Sequence, residues 1–123
     1  MQTKTLVLVL AVVVIAAAGL WILASGSAGG QKAYFDANSP VRYFYSDQCH
    51  FCQQQAPILA QLAQEGYRVK PMDVLAHPDY WNTYNITGTP TFIASNGERQ
   101  VGLTQIDELR AWLQSHNARI ASA

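Results

Sequence analysis

The stretch "SDQCHFCQQQAP", Ser46 to Pro57, decides how the chain reads, because it holds both cysteines of the 123-residue sequence with two residues between them. Just before it, "VRYFYS" (Val41 to Ser46) is a β-branched and aromatic run of strand length, opened by Pro40. After Cys52, the apolar positions Ile58, Leu59 and Leu62 recur at helical spacing, and Gly66 supplies a stop. The pair therefore sits where a buried strand passes into a helix, with Cys49 at the helix entrance and Cys52 about one turn further in.

Three uses of two thiols compete. Two cysteines within one turn are half of a zinc site, but no second CxxC follows, and His77 and His116 stand at scattered positions without the spacing of a Cys2His2 site. Haem attachment requires His after the second cysteine, where Gln53 stands. A disulfide brace gains its stability by closing a long loop in the unfolded chain, and a bridge over two residues closes almost none. Exchange chemistry suits the spacing better. A thiol at a helix N-terminus faces unpaired N–H groups and the positive end of the helix dipole, both of which favour thiolate. Cys49 is then the nucleophile, and Cys52 resolves the mixed disulfide that Cys49 forms. His50 and Phe51, between them, are expected to tune the redox potential, His50 by placing an imidazolium beside Cys49.

Further along, "YRVKPMDVL" (Tyr67 to Leu75) alternates like a strand with one wet face, and Pro71 assigns it to an end or an edge of a sheet. "HPDYWNTY" (His77 to Tyr84) reads as a short helix with Pro78 in its first turn. Thr91 to Ser95 and Arg99 to Leu103 are two short strands joined by Asn96-Gly97, a pair suited to a tight antiparallel turn. Thr104 is the expected N-cap of a last helix, with Asp107 three residues on, and Ile106, Leu109, Trp112 and Leu113 form its apolar stripe up to about His116. Trp81 and Trp112 are expected as core aromatics. The order is βαβ, a short helix, then ββα. It predicts an α/β chain, a three-layer α/β/α sandwich around a mixed four-stranded sheet, spanning 40–123.

Eight Lys and Arg balance eight Asp and Glu with no run of like charge, so the clustered positive field of a nucleic-acid binder is missing. Leu6 to Ala24 runs "LVLVLAVVVIAAAGLWILA" without a charge. As a helix it is roughly 28 Å long, enough for a bilayer's hydrocarbon layer. Its length favours a transmembrane anchor over a cleaved signal, for which "ASGSAGG" (Ala24 to Gly30) would be the cleavage region. Lys4 precedes it, so the start stays cytoplasmic and the remainder is exported, where disulfides persist. Segment 1–24 is thus anchor or signal, and 25–39, rich in Gly and Ser, has the composition of a flexible linker; Tyr34 and Phe35 stand out in it as aromatics suited to packing on the domain.

The strand–CxxC–helix order, "CQQQAP" with Pro57 five residues after Cys52, and the later "GTPTF" together resemble the thioredoxin superfamily over about Pro40 to His116. The resemblance implies a cis Thr89-Pro90 bond lying against the CxxC, with Thr89 and Pro90 binding substrate through the Thr89 backbone as an added strand would. Thr before that proline, Phe before the second cysteine, and "SNGERQVGL" look like the bacterial periplasmic disulfide isomerases, whose dimerisation domain has no counterpart here. Two positions depart from thioredoxins: Gln48 replaces the tryptophan before the first cysteine, and Tyr43 replaces the buried acid on the preceding strand. Asp47 and Asp73 are the acids left to substitute for it, though both read more readily as solvated turn or strand-end residues.

The chain is accordingly expected to be a thiol:disulfide oxidoreductase in the bacterial inner membrane. It is single-pass with its catalytic domain in the periplasm, or soluble there if the N-terminal segment is cleaved. It is expected to be monomeric, to need no cofactor or metal, and to exchange disulfides with cysteine-containing exported proteins and a redox partner protein. The alternatives are a dedicated reductase in cytochrome c or metal-site assembly, and a copper-binding chaperone using Cys49, Cys52 and a His.

Overall fold

The computed structural model describes residues 32–120. The expected membrane segment, 6–24, and the linker up to residue 31 lie outside these residues. Among the described residues, no helix is long and apolar enough to cross a membrane.

The strands are β1 (Val41–Tyr45), β2 (Lys70–Asp73), β3 (Thr91–Ala94) and β4 (Arg99–Val101); the helices are α1 (His50–Gln64), α2 (Tyr80–Thr83) and α3 (Ile106–Ser115). The sheet order is β2-β1-β3-β4. β1 pairs with β2 in parallel and with β3 antiparallel, and β3 pairs antiparallel with β4. This is the mixed four-stranded sheet expected of the sequence. β2 is an edge strand, which is where Pro71 costs no ladder hydrogen bond.

Alternation along the strands separates two apolar clusters. One face of the sheet presents Tyr43 and Phe92, stacked with centroids 4.8 Å apart, to Leu59 and Leu62 of α1 and Leu109 and Leu113 of α3. The other face presents Phe44, Met72 and Ile93 to Tyr80 and Tyr84 of the α2 region. Tyr34 is buried in the first cluster, and Phe35 bridges Val69 just ahead of β2, so the segment before β1 is packed against the domain.

Local chemistry explains most boundaries. Gly66, at φ 97, takes the left-handed conformation that ends α1, and Gly97, at φ 89, does the same in the β3–β4 turn. β2 is shorter than the alternation from Tyr67 suggested, because Tyr67 makes an isolated bridge to Arg119 and Val69 one to Phe35. β4 ends at Val101, where the Gly102 N–H turns to the Pro90 carbonyl, 2.8 Å away.

Two expectations are corrected. Thr104 is not the N-cap of α3: that position falls to Gln105, and Thr104 is buried and bonded to Gln55. Trp81 is no core aromatic but is 37% exposed, because α2 is only four residues long and buries none of them. Trp112 does pack against the main cluster, with its ring 6.2 Å from Phe92.

Candidate functional site: a dithiol at the N-terminus of α1

Cys49 is itself the N-cap of α1. Its backbone is extended, at φ −82 and ψ 119, and its Sγ accepts the Cys52 N–H at 3.2 Å. A sulfur thus occupies the place where Ser or Asp usually satisfies a free helix N–H, and that donor stabilises negative charge on it. The turn is braced behind it, with the Cys49 N–H donating to the Ser46 carbonyl at 3.1 Å and the Gln53 side-chain amide to the Asp47 carbonyl at 3.0 Å.

Across the cleft, the Thr89-Pro90 bond is cis. The Cys49 thiol reaches the Thr89 carbonyl at 3.4 Å, across 40 residues of chain. Cys49, Cys52, Thr89 and Pro90 therefore meet at one end of the sheet. Cys49 is partly exposed, Cys52 is only 4% exposed, and both are free thiols.

The two sulfurs differ in acidity. Partial burial opposes ionisation of Cys49, but hydrogen bonds with the Cys52 and Thr89 side chains and with the Cys52 and Phe51 backbone outweigh it and hold the thiol below its ordinary pKa. Burial, followed by the hydrogen bond with Cys49, pushes the Cys52 thiol up to about 11. Beneath them Tyr43, buried on β1, lies close to both sulfurs. Burial and the nearby Cys52 charge keep that phenol protonated.

His50 and Phe51 lie on the outside of the first turn of α1, their rings 5.8 Å apart edge to face. Phe51 is 55% exposed. His50 Nε2 lies 3.1 Å from the Gln54 side-chain amide, which donates to it in the tautomer protonated at Nδ1. The groups that lower the Cys49 pKa are Cys52, Thr89 and the helix backbone. Asp47 is exposed, while Asp73 accepts the N–H groups of Leu75 and Ala76 at 2.9 and 3.2 Å, as a turn residue does.

One residue that supports the site went unread in the sequence. Gln55 is fully buried; its amide donates to the Thr104 carbonyl at 3.0 Å and its Oε1 accepts the Thr104 N–H at 2.8 Å. This pins the first turns of α1 to the approach of α3. The signal was its phase: Gln55 falls on the same helical stripe as Cys52, Leu59 and Leu62.

The Thioredoxin family model matches residues 34–115. The chain belongs to the thioredoxin family. Its domain is similar to a mutant thioredoxin from Halobacterium salinarum NRC-1, with 27% identity and a TM-score of 0.56 over 70% of this chain and 81% of that one. It is similar also to chloroplastic thioredoxin z, with 25% identity and a TM-score of 0.54 over 63% of this chain and 77% of the other. A thioredoxin-like protein from Clostridium perfringens shares the fold at 16% identity, with a TM-score of 0.56 over 69% of this chain and 78% of that one. None of the curated proteins matches the chain. A thioredoxin-family domain carrying the Cys49–Cys52 pair supports thiol:disulfide exchange as its general chemistry.

Proposed function

We propose that this protein is a membrane-tethered thiol:disulfide oxidoreductase that acts outside the cytoplasm, in a bacterial periplasm, on cysteines of exported proteins. The observation that carries the catalytic reading is the asymmetry of the dithiol: a partly exposed sulfur with a lowered pKa above a buried one raised to about 11. The apolar run Leu6 to Ala24 supports the tether and the compartment.

In the reductive direction the Cys49 thiolate attacks one sulfur of a client disulfide. The Cys49–client S–S bond forms, the client S–S bond breaks, and the departing client thiolate takes a proton from solvent. The Cys52 thiol then gives up its proton and attacks Cys49 Sγ. The mixed disulfide breaks, the second client thiol leaves, and the enzyme holds the Cys49–Cys52 disulfide. Oxidation of a client is the same sequence reversed. The high pKa of Cys52 delays the second step, giving a client time to rearrange, which fits an isomerase-like role.

Thr89 and Pro90 frame the groove in which the client backbone lies, as the carbonyl of Thr89 beside Cys49 suggests. Phe51 offers an apolar contact beside the reactive sulfur. Phe51 and Thr89 also favour the isomerase-like branch over ordinary thioredoxin, with His50 and Phe51 as tuning positions.

The test is exchange activity on insulin and scrambled ribonuclease. Cys49→Ser is expected to abolish it, and Cys52→Ser to accumulate mixed disulfides with clients. Retained activity in Cys49→Ser would overturn the assignment. Stoichiometric Cu(I) uptake by reduced protein without exchange activity would replace it with the copper chaperone. The reduction potential of the pair, measured against glutathione buffers, then assigns the direction of electron flow.

A further inference from the structure

Charge in this domain is sorted along α1. The helix is about 21 Å from His50 to Gln64 at 1.5 Å per residue, and every Lys and Arg among the described residues lies toward its far end. Arg68 donates to the Ala63 carbonyl, Arg119 to that of Glu65, and Arg110 to the Glu65 carboxylate, all at the C-terminus of α1. Lys70, Arg42 and Arg99 form a row across the sheet, aligned through the pairs Arg42–Lys70, Arg42–Ile93 and Ile93–Arg99, at the strand end away from Cys49. Lys32 closes a turn onto Phe35, which bridges Val69 beside Lys70. The thiol end, by contrast, carries Asp47 in the turn before Cys49 and Asp73 in register with Tyr45.

The far pole also holds acids, of which Glu65 and Asp107 are paired with an arginine. Glu65 and Asp107 both bind Arg110, and Glu98 pairs with His116. Asp36 accepts the Asn38 N–H at 2.8 Å. Lys32, Arg42, Lys70 and Arg99 make no salt bridge among the described residues. Residues 1–31 and 121–123 contain no Asp or Glu. Arg42 has a buried Nε without a hydrogen-bond partner, and its guanidinium lies 5.5 Å above the Tyr84 ring.

The chain enters the domain at this same pole. Between the apolar run and Lys32 lie only Ser25 to Gln31. Seven residues span at most about 25 Å fully extended.

We propose that the pole bearing Lys32, Arg42, Lys70 and Arg99 docks on the anionic phospholipid headgroups of the membrane that holds the chain. Docking turns Cys49 away from the bilayer and toward clients. The inference rests on reading Leu6 to Ala24 as an anchor. Each basic residue brought near an anionic surface strengthens binding by about fivefold. A leash of at most about 25 Å keeps the domain near the surface, and docking holds it in the layer of about 8 Å where that attraction is felt at physiological salt.

The test uses the full chain, labelled with a dye on Cys49, in vesicles carrying an acceptor lipid. The vesicles are phosphatidylcholine alone or phosphatidylcholine with phosphatidylglycerol. Flotation with both, with lower energy transfer in the anionic vesicles, is the expected result. High salt and the double variant Lys32→Glu/Lys70→Glu should each abolish that loss of transfer, the variant weakening docking by at least about 25-fold at fivefold per residue. Neither lysine side chain makes a hydrogen bond among the described residues, so the double variant should keep its exchange activity on a soluble client, which verifies its fold. If Lys70 served only to protect the β2 edge, transfer would be indifferent to lipid charge.

Flotation with both vesicles and equal transfer overturns docking and leaves the anchor standing. Salt-sensitive flotation with anionic vesicles alone supports docking and removes the anchor. Flotation with neither overturns both, and a loss of transfer that survives the double variant overturns the assignment to this pole.

Discussion

Cys49 and Cys52 are the same side chain one helical turn apart, and their environments make them different reagents. Cys49 caps free helix N–H groups, whereas Cys52 lies under the helix against Tyr43. Alkylation with iodoacetamide should therefore follow a titration with its midpoint below the roughly 8.5 of a free cysteine. The protected fraction, Cys52, should begin to react only as pH approaches about 11. Thiolate reactivity rises with pH, so a lowered Cys49 pKa extends activity to more acid conditions.

The thiols, the helix and the turn glycines were legible in the sequence because each is a local signal. The meeting of Thr89 with Cys49 was implied only by the resemblance, and the Gln55–Thr104 pair by nothing local, since they join residues 40 and 49 positions apart.

At the scale of elements, two polar links tie α1 to α3, one at each end. Near the thiols, Gln55 satisfies both backbone groups of buried Thr104. Gln55→Leu keeps the apolar stripe but orphans those groups, at about 1–3 kcal/mol each. A lower urea midpoint with an unchanged slope would register the loss. At the other end, Arg110 holds the Glu65 carboxylate with two bonds of 2.7 and 2.9 Å. The Arg110 hydrogen bonds, and then its charge and that of Arg119, hold the Glu65 carboxyl below its ordinary pKa. A carboxylate depressed in the folded state stabilises above its unfolded value of about 4.3 and loses that stabilisation as pH falls through the folded one. Arg110→Ala should therefore raise the pH at which acid unfolding begins, followed by circular dichroism.

Thr104 shows why one element was misread. Followed by Asp107, it has the pattern of a capping residue, and a local reading can weigh only that pattern. The chain instead buried it against Gln55, and the helix starts one residue later. Trp81 fails differently: four helical residues are too few to bury a ring, and the periodicity of so short a segment does not tell which side faces the sheet.

For the whole molecule, the central position of β1 and β3 makes them the framework. Both are covered on two faces and paired on two sides, so their amides should show the slowest hydrogen exchange, with β2 and β4 faster, in a native-state exchange experiment. β1 carries Phe44 to one cluster and Tyr43 to the other, and its end delivers the chain to Cys49. One strand thus couples the core to the chemistry, and its opposite end carries Arg42 of the basic row.

The sequence by itself determined the dithiol, the order of strands and helices and the apolar faces, because spacing, periodicity and turn residues act between neighbours along the chain. It also determined how many charges there are and that they balance. Only the tertiary structure decided how deeply Cys52 is buried, that Gln55 pairs with Thr104, and that the cations collect at the far pole. Acidity, burial and charge sorting depend on distances between residues remote in sequence, and those distances exist only once the chain is folded.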